Sequence, residues 1–533
     1  MFHKELTVCL LEVILGAAKS VRIFAQSYSI IPMVFLLSVL PVACSSLPRE
    51  RPHVPAREAV EEQEDPEVAD LPEAAEPDSR DPVPDGPSVP AESADHDQPR
   101  PPDPHREEPS GPLAVARLDD PVPFSLPSAL PERVPPLREE EIIDRIVAGM
   151  SLEDRVGQLF MPAIIADSRG VPRLVVDDEV RRLIDTIRPG GVILFGPNLH
   201  DPEQTRRLVR DLQEASPFPL LIAVDQEGGV VSRLTSSAMM PATIAPSARR
   251  IGLAGDEELA YQVARATGRE LRTLGITMNF APVADVLTNP GNPVIGSRAF
   301  GSDPELVSRM VAATVRGLQD SGVSAVVKHF PGHGDTSLDT HLQTVVVPHA
   351  LDRLREVEFI PFTSGFAAGA DGVMTAHISL PGVTGDHTPS TLSPLVLREL
   401  LRGEFGYEGL IITDSLIMGA LTAENVLPGI TEDHLPLRAF QAGADILLYP
   451  PRPEVGYRTL LEAFRRGDLS ERDLDEAVRR ILRVKFSRGL MRVPPTPLSE
   501  DLYLRPEHFF PEELELGLPE HRAVMEEVLR RSR

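Results

Sequence analysis

The sequence predicts an α/β fold: a (β/α)8 TIM-barrel-like domain, preceded by a signal segment and a disordered Pro- and acid-rich linker. Three observations carry the barrel. Eight short apolar, β-branched runs recur after about Leu137, and helical patterns separate them, the alternation that builds parallel α/β sheets. The runs are near-continuous in hydrophobicity, as strands buried on both faces are. Polar residues gather just beyond several runs, where barrel enzymes place their sites. A doubly wound open sheet would call for a glycine-rich phosphate loop after the first strand. Gly228-Gly229 follows the third run and lacks that spacing.

Taken in order, residues 1–44 read as an export segment. Lys4, Lys19 and Arg22 precede an apolar run from Ile30 to Ala43, shorter than the roughly 20 residues of a membrane span and suited to a signal h-region. The run ends in Leu40-Pro41-Val42-Ala43-Cys44-Ser45-Ser46, which resembles a bacterial lipoprotein processing site with Cys44 as the lipid attachment. An ordinary cleaved signal or an uncleaved anchor is the alternative. Residues 45–136 hold 22 of the chain's 54 prolines, and Ser45–Ser110 carries 19 Asp and Glu against 6 Arg. Such a segment buries too little apolar surface to offset its conformational entropy, so it reads as an extended, self-repelling tether. A segment that folds on a partner is the competing reading.

Residues 137–492 are the expected barrel. The eight candidate strands are Gly157–Ile164, Gly190–Phe195, Leu220–Val224, Ile276–Ala281, Ala325–Lys328, Gly372–Ala376, Gly409–Thr413 and Asp445–Tyr449. Helix starts are marked by capping side chains at Asp256, Asp303 (followed by Pro304) and Ser470. Residues 493–533 are a tail with a terminal helix over His521–Arg531, a strap on the barrel or partly disordered.

Composition excludes several classes. A net charge of −27 is wrong for a nucleic-acid binder that neutralises phosphates. Two cysteines, one of them Cys9 in the export segment, leave no disulfide framework and no Cys-rich zinc module. With no Trp and 5% aromatics, the long indole-lined cleft of a polysaccharide binder is not expected.

The residues beyond the strands form a chemical set. Asp225-Gln226-Glu227-Gly228-Gly229 and Arg233 follow the third run. Asp285, Asn292 and Arg298 follow the fourth. The fifth ends in the dense stretch Lys328–His341, KHFPGHGDTSLDTH. His377 follows the sixth and Asp414 the seventh. Read alone, His329, His333, Asp335, Asp339 and His341 have a spacing that can also ligate a metal, and Lys328 can serve as a Schiff-base lysine.

KHFPGHGDTSLDTH, with the DQEGG, SRAFG, MTAHI and TDS segments in order, resembles glycoside hydrolase family 3 in its single-domain β-N-acetylglucosaminidase (β-N-acetylhexosaminidase) branch. The resemblance runs from about Leu152 to Phe486. It implies a retaining exo-glycosidase with Asp414 as nucleophile, His341 as general acid/base and Asp339 orienting His341. It implies that Asp225, Arg233, Arg298, Lys328 and His329 bind the terminal sugar, with no cofactor and no metal. The chemistry suits these types: a carboxylate forms the glycosyl-enzyme, and a histidine protonates the leaving oxygen once a carboxylate fixes its tautomer. Neutral histidine also leaves room for phosphate as an alternative acceptor.

The expected substrate is terminal N-acetylglucosamine of cell-wall glycan or muropeptides. The protein is expected to act as a monomer, on a membrane through its lipid anchor. Rival readings are a β-glucosidase of the same family and a non-catalytic wall-binding lipoprotein. His333 is expected to hold the turn at Gly332 and Gly334, Asp285 and Asp445 to be structural caps, and His377 to be a pocket wall or a core residue.

Overall fold

The computed structural model describes residues 138–340, 345–422, 431–493, 503 and 510–533. The export segment with Cys44, the linker 45–136 and His341 lie outside the described residues.

Eight short parallel strands appear where the sequence places them: β1 (Phe160–Met161), β2 (Gly191–Ile193), β3 (Leu221–Val224), β4 (Met278–Asn279), β5 (Ser324–Phe330), β6 (Gly372–Thr375), β7 (Leu410–Ile412) and β8 (Leu447–Leu448). Strands β2 to β7 form one sheet in chain order, and β1 pairs with β8. Single parallel bridges join Ala163 to Ile193 and Ile412 to Ile446, linking the β1–β8 pair to both edges of that sheet. The domain is therefore TIM-barrel-like. Every residue of β1, β2, β3, β6 and β7 is buried, which is why these strands read as unbroken apolar runs.

The first strand starts later than its apolar run. Ser151 accepts the amide of Asp154 and caps a helix over Leu152–Gln158, so Gly157 and Gln158 are helical. The buried Gln158 amide takes Lys485 Nζ at 2.6 Å and donates to the Arg188 carbonyl at 3.0 Å, tying that helix to the last barrel helix.

The predicted helix caps are in place. Asp256 receives the Glu258 and Leu259 amides ahead of Glu257–Thr273, Asp303 that of Glu305 ahead of Pro304–Asp320, and Ser470 that of Asp473 ahead of Glu471–Ser487. The tail is a strap. Its helix, Pro519–Arg531, buries Met525 and Val528, and the Glu270 carboxylate receives the Gly517 amide at 2.9 Å and faces His521 Nδ1 at 3.1 Å. Among the described residues, no helix is long and apolar enough to cross a membrane.

Candidate active site

Of the predicted residues, Asp225, Arg233, Arg298, Lys328 and His329 come together at the C-terminal ends of β3, β4 and β5. Asp225 leaves β3 into a hairpin that Gln226 staples: its side-chain oxygen accepts the Arg233 and Leu234 amides at 2.8 and 3.1 Å, and its amide donates to Ser232 Oγ at 2.9 Å. Gln226 is held in turn by Asn279 at the end of β4, through its backbone amide and carbonyl at 2.9 Å each.

Lys328 rises from β5 with its side chain 2% exposed. Its ammonium lies 2.8 Å from Asp225 Oδ1 and 2.6 Å from Glu227 Oε1. Arg298 grips the same Glu227 in a two-point contact, both distances 2.8 Å, and Arg233 stands 3.5 Å from Asp225. Burial alone would raise the carboxyl of Glu227, but Arg298 and Lys328 hold it well below the usual range. Burial would likewise raise Asp225, yet Lys328 and Arg233 lower it. For Lys328, burial opposes the charge and the two carboxylates more than restore it. That corrects the Schiff-base reading, because a nucleophilic lysine needs a lowered pKa. The same ammonium has three N–H donors, two of them directed at carboxylates.

The stretch beyond β5 turns tightly. A Cβ on Gly334 would stand 1.8 Å from the Val286 carbonyl oxygen, so glycine is required there. His333 holds the turn as expected: its amide donates to Asp285 Oδ1 at 2.7 Å, and its ring lies between Thr336 Oγ1 at 2.7 Å and Thr340 Oγ1 at 3.2 Å. Burial pushes the His333 imidazole down to about 4, so the ring is neutral at physiological pH. Thr340 also accepts the Ala420 amide through its carbonyl at 3.0 Å. That bond ties the Asp339-Thr340 end of the β5 loop to the segment following Asp414. His341, the expected acid/base, falls just beyond the described residues, while Asp339 is half-buried.

Asp414 sits at the end of β7, partly exposed. Its Oδ1 accepts the Ser415 amide at 2.7 Å, and its own amide donates to the Thr375 carbonyl at 3.2 Å. His377 is fully buried and donates from Nε2 to the Ser415 carbonyl at 2.9 Å, with Thr391 Oγ1 at 2.8 Å from Nδ1. It is a core brace under the Asp414 turn rather than a pocket wall.

Two residues to which the sequence reading assigned no substrate-binding or catalytic role belong to the site. Glu227 binds both Lys328 and Arg298. It lies two positions after Asp225 in extended chain, so both side chains point the same way, and that spacing is the signal. Asp285 is not merely a cap: it is fully buried, with His329 Nδ1 2.7 Å from its Oδ2. An acid set among Val283, Ala284 and Val286 was the available hint. Asp445 is structural as expected, held by Arg402 and Arg480 at the other end of the barrel. Of the five residues with metal-ligating spacing, His329 and His333 direct ring nitrogens at protein partners, and His341 lies outside the described residues. No group of three His, Cys, Asp or Glu among the described residues is arranged to hold an ion.

Fold and site together define a TIM-barrel-like enzyme of the glycoside hydrolase class. The chain belongs to glycosyl hydrolase family 3: the sequence profile "Glycosyl hydrolase family 3 N terminal domain" matches residues 151–484. It is 35% identical over 335 residues to "Beta-hexosaminidase A" of Pseudoalteromonas piscicida, covering 58% of this chain and 55% of that protein. It is 35% identical over 348 residues to "Beta-hexosaminidase LpqI" of Mycobacterium tuberculosis, covering 64% and 84%. The fold matches a family 3 β-N-acetylglucosaminidase from Paenibacillus sp. with a TM-score of 0.63 and 39% identity, over 72% of this chain and 69% of that one.

Proposed function

We propose that this protein is a retaining exo-glycosidase that removes terminal β-linked N-acetylglucosamine from cell-wall glycan fragments or related glycoconjugates. The observation that carries this is the buried ring of Asp225, Glu227, Arg298 and Lys328 at the barrel mouth. Sugar hydroxyls each donate and accept, and fixed carboxylates and cations side by side meet both needs. The relatives named as hexosaminidases support the choice of amino sugar.

In this mechanism the Asp414 carboxylate attacks the anomeric carbon as the bond to the leaving oxygen breaks, and His341 gives that oxygen its proton. His341, oriented by Asp339, then takes a proton from water. The water oxygen attacks the same carbon and frees Asp414 with overall retention. Asp225, Arg233, Arg298, Lys328 and His329 bind the terminal sugar.

The reading extends to the whole chain. Residues 1–44 export it, Cys44 carries a lipid, residues 45–136 hold the barrel off the membrane, and the enzyme acts as a monomer. Membrane fractionation of wild type beside Cys44→Ala tests the anchor, and light scattering tests the monomer.

The deciding assay compares an aryl N-acetylglucosaminide with an aryl glucoside, with and without phosphate. Preference for the N-acetyl substrate is expected. Preference for the glucoside would turn the reading to a β-glucosidase, and glycosyl phosphate as the product would turn it to a phosphorylase. Sugar binding without any turnover would make the protein a non-catalytic binder.

A further inference from the structure

We propose that Asp285 is a positioning residue that sets the tautomer of His329, so that Nε2 of His329 is the hydrogen-bond acceptor that receives and positions Arg298. This rests on the proposed sugar-binding reading and deepens it.

Asp285 Oδ1 receives the His333 amide at 2.7 Å and lies 3.3 Å from the His329 amide, while Oδ2 stands 2.7 Å from His329 Nδ1. An ionised carboxylate only accepts, so Nδ1 carries the proton. The other ring nitrogen, Nε2, lies 3.3 Å from Arg298 NH2. A guanidinium has no acceptor, and two N–H groups cannot point at each other, so Nε2 carries a lone pair. The Arg298 group that enforces this is locked by its two-point contact with Glu227, and Asp285 is fully buried.

The His329 side chain is 8% exposed. With Nδ1 donating to Asp285 and the Nε2 lone pair received by Arg298, the ring fixes the guanidinium that Glu227 also grips, and so holds the Arg298 edge of the sugar-binding set in place. Asp285 also anchors the His333 amide, and the His333 ring reaches Thr340 beside Asp339. One buried carboxylate thus serves the sugar-binding strand end and the foot of the acid/base loop.

Asp285→Asn keeps the volume but turns an N–H₂ toward one of these donors. Where that group faces Nδ1, the ring proton moves to Nε2 and confronts Arg298, a tautomer error of the kind known to disable oriented histidines. The test uses nitrogen-15 NMR of histidine-labelled protein, with His329→Gln assigning the signal, together with titration by N-acetylglucosamine. In wild type the His329 proton is expected on Nδ1. Asp285→Asn is expected to weaken N-acetylglucosamine binding and kcat/KM by roughly 10–100-fold, with the proton on Nε2. A wild-type proton on Nε2 overturns the proposal whether or not the variant folds. So does a folded variant with unchanged affinity and tautomer, and so does a variant that loses thermal stability while its sugar affinity at 25 °C is intact. If wild type neither binds N-acetylglucosamine nor turns over its glycosides, the functional reading itself fails, and the NMR signal still decides the tautomer.

Discussion

Both ends of the barrel bury a carboxylate between two cations, and the two ends do different things. At the floor, Asp445 is 1% exposed and joins Arg402 and Arg480. Its remaining capacity is taken by the Ile411 amide at 2.8 Å, and Arg402 caps the Gly409 carbonyl at 2.7 Å. Every partner there belongs to a strand or a neighbouring helix, so the group joins structural elements, although Arg480 and Gly409 also border a surface cavity. At the mouth, Glu227 is 4% exposed and joins Lys328 and Arg298. This group continues outward through Asp225, Arg233 and His329. Desolvating such charges is costly and an ion pair returns little net stability over apolar packing. At the floor the benefit is specificity of packing. At the mouth it is a set of charges already stripped of water, which can meet a substrate without reorganising.

The comparison breaks most sharply at Asp414. Asp414→Asn is expected to lower turnover of an N-acetylglucosaminide by at least about 10⁴-fold with an unchanged melting temperature. Retention of more than a tenth of wild-type activity would remove Asp414 from the nucleophile role. Next comes His341→Ala, for which a loss of roughly 10²–10⁴-fold is expected on glycosides with poor leaving groups. The loss on activated aryl glycosides should be far smaller. Equal losses on both would count against His341 as the acid.

Paired substitutions at the two carboxylates sharpen the contrast. Asp445→Asn strands two arginines and should destabilise the fold by about 3 kcal/mol, measured by chemical denaturation, while KM stays at the wild-type value. Glu227→Gln should cost similar stability and also raise KM about tenfold or more. A raised KM in the floor variant would erase the distinction between the two ends.

The smallest effect is in pH. The His333 imidazole sits at about 4 in the fold against 6.5 in the open chain. Between those values the unfolded chain binds more protons, so stability is full above pH 6.5 and falls as pH drops toward 4, by at most about 3 kcal/mol. Glu227 and Asp225 are held below their ordinary values. Their contribution is present above their unfolded pKa and is lost only as pH falls further, through their folded values. His333→Gln should flatten the slope between pH 6.5 and 4. A slope unchanged in that variant would assign the acid sensitivity to other groups.

Much of this was legible along the chain. Val326-Val327 and Leu410-Ile411-Ile412 read as strands because a strand covered on both faces has no polar side to display. Asp256, Asp303 and Ser470 read as caps because capping is settled within three residues. Asp225 and Asp414 were placed at the mouth because they follow such strands directly, Lys328 because it ends one, and Arg298, farther along the loop after the fourth strand, through its motif. The start of β1 was misplaced because Gly157 and Gln158 continue an apolar run while belonging to a capped helix.

What the sequence alone determined was therefore the order of elements, the strand-end positions and, through its motifs, the family. Tertiary structure decided who meets whom. Glu227 meets Arg298 across 71 residues and Asp285 meets His329 across 44. Asp285 and Asp445, alike as acids in apolar surroundings, ended as parts of the site and of the floor respectively. Local pattern reports whether a side chain is buried. The partner that makes burial of its charge tolerable, and the cavity it then serves, exist only once the sheet has curled and distant strand ends lie side by side.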